Sequence, residues 1–159
     1  YEIPLRLVGS EMCIRDSVPY EPGEVKVVAY DASGKPAEEK VIRTAGKPHH
    51  LELVADRTRL SADGKDLAYI TVRVVDKDGN LCPADSRMVN FSVKGAGKYR
   101  AAANGDATSL DLFHLPKMPA FSGQLTAIVQ SGEQAGEIVF EARAKGLKSG
   151  KLVLYTSEK

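Results

Sequence analysis

Glu137 and Glu141 stand four residues apart, and Asp76, Asp78 and Asn80 alternate along a short acidic stretch. With His49, His50, His114, Cys13 and Cys82 they are the side chains whose types and spacing invite chemistry. Acid–base cleavage by paired carboxylates needs the two groups to face each other across a cleft, one of them with a raised pKa. Glu137 and Glu141 instead fall on one predicted strand, Glu137 to Ala144, where residues an even number apart share a face. That face is the outward one, so neither carboxylate gains the desolvation that raises a pKa, and both read as surface charge. Asp76-Lys-Asp78-Gly-Asn80 places oxygen ligands at alternate positions, like the start of a calcium loop. The glycine comes two positions early and Arg87 stands where a bidentate Glu belongs, so a hairpin turn with solvated carboxylates is expected.

Nucleophilic catalysis requires a nucleophile, a base and a group that orients the base. There is no Gly-x-Ser-x-Gly elbow; His49 and His50 open a predicted strand, His114 lies in a long loop near Asp111, and Cys82 precedes Pro83 after a turn. His114 is read as a loop residue touching the sandwich or an adjoining domain. No phosphate loop, dinucleotide fingerprint or zinc motif is present, so no catalytic residue, metal or cofactor is assigned. The remaining candidate is Asn104-Gly-Asp-Ala-Thr-Ser109. Asn-Gly is a strong tight-turn signal, and Asp106, Thr108 and Ser109 can bond the loop backbone. A self-satisfied turn accounts for these residues; a polar contact with a neighbouring domain or a sugar is the alternative. Asn104, Asp106, Thr108, Ser109 and His114 are therefore the ligand or interdomain-contact candidates.

The elements that must position these residues are strands. Leu67 to Val75 alternates, with Ala68, Ile70, Val72 and Val74 on one face and Tyr69, Thr71 and Arg73 on the other. Val89, Phe91 and Val93 repeat the pattern, as do Ile138, Phe140, Ala142 and Ala144; Leu51 with Leu53, Leu125 with Ala127 and Val129, and Leu152 with Leu154 continue it. The 15 valines suit strands, because branching at Cβ fits a pleated surface. Turn clusters at Asp31–Gly34, Ser61–Gly64, Asp76–Gly79 and Ser131–Gly136 separate the runs, and no helical stripe of ten residues occurs. The chain is predicted to be all-β: an Ig-like antiparallel β-sandwich preceded by a β-hairpin.

Four segments follow. Residues 1–17 do not fit the rest; Leu7-Val-Gly-Ser-Glu-Met-Cys-Ile-Arg-Asp-Ser17 resembles translated sequencing-adaptor read-through, and is expected to be non-native. A genuine strand over Glu2 to Val8 is the alternative. Residues 18–45 form a hairpin across the Asp31-Ala-Ser-Gly34-Lys turn. A lone hairpin is marginal in water, so it is expected to be the end of a β-sandwich whose other strands lie elsewhere. Residues 46–48 are a linker, and residues 49–159 hold about seven strands, enough for an Ig-sized unit of about 100 residues. The stretch from Asn104 to Gly123 reads as an extended loop or crossover.

Composition removes other classes. Lys plus Arg is 22 and Asp plus Glu is 21, without the basic surplus that a nucleic-acid binder uses against phosphates. No apolar run approaches the roughly 20 residues of a membrane span. There is no Trp and aromatics are 6%, which argues against a flat stacking platform for sugars or bases. Two cysteines do not make a disulfide scaffold, and Tyr1 to Ser17 carries neither a basic leader nor a long apolar stretch.

Val18-Pro-Tyr-Glu-Pro-Gly-Glu-Val-Lys-Val-Val-Ala-Tyr30 resembles the end of a β-sandwich that follows the catalytic barrel in bacterial glycoside hydrolase family 2 enzymes, many of them β-galactosidase-like. Thr44-Ala-Gly-Lys-Pro48 is similar to the linker that follows. Leu51 to Ala55, Leu60-Ser-Ala-Asp-Gly64, Val72 to Asn80, Phe91-Ser-Val93, Asn104-Gly-Asp106, Thr108-Ser109 and Ile128-Val-Gln-Ser131 resemble the Ig-like C-terminal domain of those enzymes. The resemblance implies a parent that cleaves β-glycosides with retention, using two glutamates on a (β/α)₈ barrel. No glutamate here matches either motif, so this region is expected to be inactive and to support the catalytic domain. It further implies the barrel and adjacent sandwich as partners, carbohydrate as a further partner class, no cofactor, and a periplasmic or extracellular location. Two other readings stand beside it: an invasin-like adhesin repeat, and an autonomous carbohydrate-binding module stacking sugars on Tyr69, Tyr99 or Tyr155.

Overall fold

The computed structural model describes residues 19–158. The segment expected to be non-native, residues 1–17 with Cys13 and the alternative strand Glu2 to Val8, lies outside the described residues.

Eleven strands and no helix are present among the described residues. β1 (Glu24–Tyr30) and β2 (Pro36–Arg43) make a two-stranded antiparallel hairpin. Its turn is closed by Asp31, whose Oδ1 accepts the Ser33 and Lys35 N–H groups at 2.8 and 2.9 Å. Then come β3 (His50–Ala55), β4 (Arg59–Ser61), β5 (Leu67–Val75), β6 (Met88–Gly95), β7 (Gly97–Ala103) and β8 (Lys117–Pro119). β9 (Gln124–Ser131), β10 (Gly136–Ala144) and β11 (Gly150–Ser157) follow. They form a five-stranded sheet in the order β4-β11-β10-β6-β8 and a four-stranded sheet in the order β3-β5-β9-β7. All pairings are antiparallel except β11 with β4.

The alternation explains why two sheets bury one face each. Ala68, Ile70, Val72 and Val74 of β5, Leu125, Ala127 and Val129 of β9, and Ile138, Phe140 and Ala142 of β10 are all buried, as predicted. A shift of one residue in any of these strands would expose the whole apolar set, so burial itself holds the register. Phe91 stacks on Phe140 within one sheet and on Tyr99 of the other, with ring centroids 5.9 and 5.8 Å apart.

Among the described residues nine strands follow residue 48 rather than about seven. β4 and β8 are three-residue edge strands, too short to show a period. β7 escapes the pattern because a bulge between Tyr99 and Ala101 shifts its register against β9 and breaks the alternation. The stretch from Asn104 to Gly123 does cross between sheets, from β7 on one to β8 on the other.

One glycine sets the corner between β6 and β7. Gly95 has φ +93°, and a Cβ there would run into the carbonyl oxygen of Glu137 on β10. Gly95→Ala is expected to cost about 2–3 kcal/mol from left-handed strain plus the clash with backbone, read as a lower urea midpoint. A change below about 0.5 kcal/mol would show that the corner relaxes freely.

Candidate functional site

The carboxylate pair is where the alternation puts it. Glu137 and Glu141 lie on the outer face of β10, and Glu141 is held by Arg143 at 2.9 Å. The two carboxylates share a flat surface rather than opposing walls of a cleft. His49 and His50 pack edge to face at the start of β3, with their Nδ1 atoms 3.1 Å apart. Cys82 is buried, and desolvation pushes its thiol pKa up, the opposite of a reactive cysteine. Tyr69 and Tyr155 sit on the outer faces of different sheets, and Tyr99 is tied into the fold, so the three do not converge on one ligand.

The Asp76 turn departs from expectation. Asp78 is solvated, but Asp76 is only 2% exposed. Its Oδ1 accepts the Asp78 and Asn80 N–H groups, each at 2.9 Å. Its Oδ2 accepts the Gly46 N–H at 2.8 Å and Asn80 Nδ2 at 3.0 Å. These donors, Gly46 foremost, hold the carboxyl well below the ordinary aspartate range. Both oxygens are thus spent on N–H donors, an environment made for a carboxylate and not for a cation. Spacing could not reveal this, because Gly46 comes from a distant segment. Gly46 lies in the connection between β2 and β3, and two residues earlier Thr44 pairs with Gly23 at the base of the hairpin: its Oγ1 accepts the Gly23 N–H at 3.0 Å, and its N–H donates to the Gly23 carbonyl at 2.8 Å. Thr44 thus extends the hairpin pairing by one residue, and Asp76 holds the connection that follows it against the turn after β5. Between them lies a cleft of about 1040 Å³ lined by residues that include Tyr20, Val25, Ile42, Arg73, Asn80 and Asp85.

The structure brings Asn104, Asp106, Thr108 and Ser109 into one self-bonded turn. Asn104 Oδ1 accepts the Asp106 N–H at 3.0 Å, and its Nδ2 donates to the Pro119 carbonyl at 3.1 Å. Asp106 Oδ1 accepts the Thr108 hydroxyl and N–H at 2.7 and 2.9 Å, and these bonds lower its pKa. Ser109 Oγ donates to Asp111 at 2.9 Å. His114 is not in this cluster; it lies farther on and is exposed. The far arm of the loop is anchored by Tyr99, whose hydroxyl lies 2.6 Å from the Leu115 carbonyl and 3.1 Å from that of Phe113. Burial pushes the Tyr99 pKa up to about 12. Sequence reasoning passed over what lies between the two anchors. Leu110 is 96% exposed, and Leu112 and Phe113 are each 57% exposed. The signal was present: Leu110-Asp-Leu-Phe113 is an apolar cluster inside a segment with no strand period.

Residues 51–153 match the glycoside hydrolase family 2 C-terminal domain 5 family. Over 141 residues the chain is 42% identical to "Beta-galactosidase BoGH2A" of Bacteroides ovatus, covering 89% of this chain and 16% of that protein. It is 29% identical over 143 residues to a "Beta-glucuronidase" of Formosa agariphila, covering 87% of this chain and 14% of that one. A solved glycosyl hydrolase family 2 member from Bacteroides cellulosilyticus superposes with a TM-score of 0.80 at 30% identity, over 89% of this chain and 18% of its own. The chain therefore spans less than a fifth of the length of these relatives.

Proposed function

The chain belongs to the glycoside hydrolase family 2 C-terminal domain 5 family, and from that premise we propose that it is the non-catalytic accessory region of a longer β-glycosidase. The observation that carries this reading is the coverage: nearly nine-tenths of the chain aligns with about one-sixth of a β-galactosidase. The geometry supports it, because Glu137 and Glu141 share an outward face and cannot close on a glycosidic bond from two sides. In this reading the catalytic barrel and an adjacent sandwich are its partners within the same polypeptide. Residues 18–45 are the last hairpin of that sandwich, residues 46–48 the linker and residues 49–159 the Ig-like domain. Val25, Val27 and Ile42 support the division: they stand exposed on one face of the hairpin, as expected of a sheet whose neighbours lie elsewhere. The substrate class is a β-glycoside, with galactosides and glucuronides as the two sugars that the relatives' names bring forward. Its place of action is the periplasm or the cell exterior.

The test is to assay the chain with its upstream sequence on nitrophenyl β-galactoside and β-glucuronide. Hydrolysis of one of them is expected, with Glu137→Gln and Glu141→Gln each changing kcat/KM less than about twofold. A loss of about 100-fold or more in either variant would place catalysis on this region and overturn the reading. So would hydrolysis by residues 18–159 alone.

A further inference from the structure

Leu110, Leu112 and Phe113 make an exposed apolar cluster in the crossover loop of the sandwich, apart from the apolar face of the hairpin. They fall within four residues, they are all exposed, and the loop that carries them is not slack. Tyr99 holds the carbonyls of Phe113 and Leu115, the Ala102 N–H donates to Phe113 at 2.8 Å, and Asn104 ties the near arm to Pro119. Asp106, Thr108, Ser109 and Asp111 bond one another. The polar side chains thus form the scaffold, and the apolar ones are presented to the outside. We propose that Leu110, Leu112 and Phe113 are the plug by which this domain docks into an apolar recess on an upstream domain of the same polypeptide.

Size decides between possible occupants. Three side chains of this kind offer on the order of 300–400 Å². That is about half of the roughly 800 Å² per partner that a stable two-chain interface buries. It fits the lower end of interfaces between domains of one chain, about 600–1,500 Å² counting both sides. A tethered domain has already lost most of its translational freedom, so a small apolar contact suffices to hold it. More than four-fifths of the length of the relatives lies outside the matched region, which supplies the surface to be met. A sugar fits less well: recognition of hydroxyl groups needs available polar partners, and Asp106, Thr108, Ser109 and Asp111 are engaged in bonds within the loop.

The inference rests on the reading of the chain as the tail of a longer enzyme. The test uses that full chain, comparing wild type with Leu110→Ser/Phe113→Ser by hydrogen–deuterium exchange. Leu110 is 96% and Phe113 57% exposed, so the substitutions are expected to leave the fold of this domain intact, checked by an unchanged urea midpoint of the domain. In wild type, amides 108–115 are expected to exchange at least about tenfold more slowly than in the variant. One upstream segment is expected to lose protection together with them. Equal exchange in both proteins overturns the proposal, as does release confined to the loop. Protection that fades on dilution overturns it in favour of a second copy, and protection that needs added galactoside overturns it in favour of a sugar. Failure to hydrolyse any β-glycoside would instead remove the enzyme reading, and the exchange data would still report whether the plug is seated.

Discussion

Phe140→Ala is expected to lower stability by about 3–5 kcal/mol, and the melting temperature by roughly 10–20 °C. Phe140 is fully buried at the middle of β10, with β6 and β11 on either side. Its ring touches Phe91, and Phe91 in turn stacks on Tyr99 of the opposite sheet. Truncation removes a large apolar surface and leaves a cavity that two sheets held in register cannot collapse around. Phe140→Leu fills most of that space and is expected to cost about 1–2 kcal/mol. Urea unfolding of the two variants checks this: the midpoint should fall while the slope stays constant. A loss under about 1 kcal/mol for Phe140→Ala would mean that the two sheets do not share one core.

Asp76→Ala is the second large effect, with a fall in melting temperature of roughly 10 °C. The variant strands the N–H groups of Gly46, Asp78 and Asn80, all of which now donate to this one carboxylate. Asp76→Asn separates the two jobs of the side chain. Its single amide oxygen can still cap the turn at Asp78 and Asn80, but its NH₂ meets the Gly46 N–H donor to donor. That variant is expected to keep the turn and release the connection between β2 and β3, seen as faster exchange of the Gly46 amide. The pH dependence has a fixed sign. The folded carboxyl is lowered, so its stabilisation is complete above the unfolded value of about 4 and is lost progressively as pH falls below it. Asp31 and Asp106 are lowered in the same direction by Ser33 and Thr108, so the wild-type acid limb has several contributors. The share due to Asp76 is the difference between wild type and Asp76→Ala, which should shrink between about pH 4 and pH 2. Parallel profiles across that range would refute the assignment.

The fold was legible wherever one strand face is buried along its length. Ala68 to Val74 and Ile138 to Ala142 announce themselves, because a period of two follows directly from the pleat. β7 was not legible, since its bulge shifts the very alternation that marks a strand. β4 and β8 depend on partners distant in the chain, which no local pattern contains. The site shows the same division. The Asx-type bonds of Asp106 and Asn104 follow from local spacing, and the structure has them. The bond from Gly46 to Asp76 spans 30 residues, and its pairing appears only when the connection between β2 and β3 lies against the turn. Leu110, Leu112 and Phe113 could have been noticed, but apolar residues in a loop signal something only once they are seen to be exposed.

The most direct test of the central claim is a long read through the gene upstream of the codon for Val18. The result expected is an uninterrupted frame running back through a β-sandwich into a (β/α)₈ barrel, with two catalytic glutamates on the barrel and none in this region. A frame that runs instead into further Ig-like repeats, with no barrel, would contradict it and make the chain part of a binding or adhesive array.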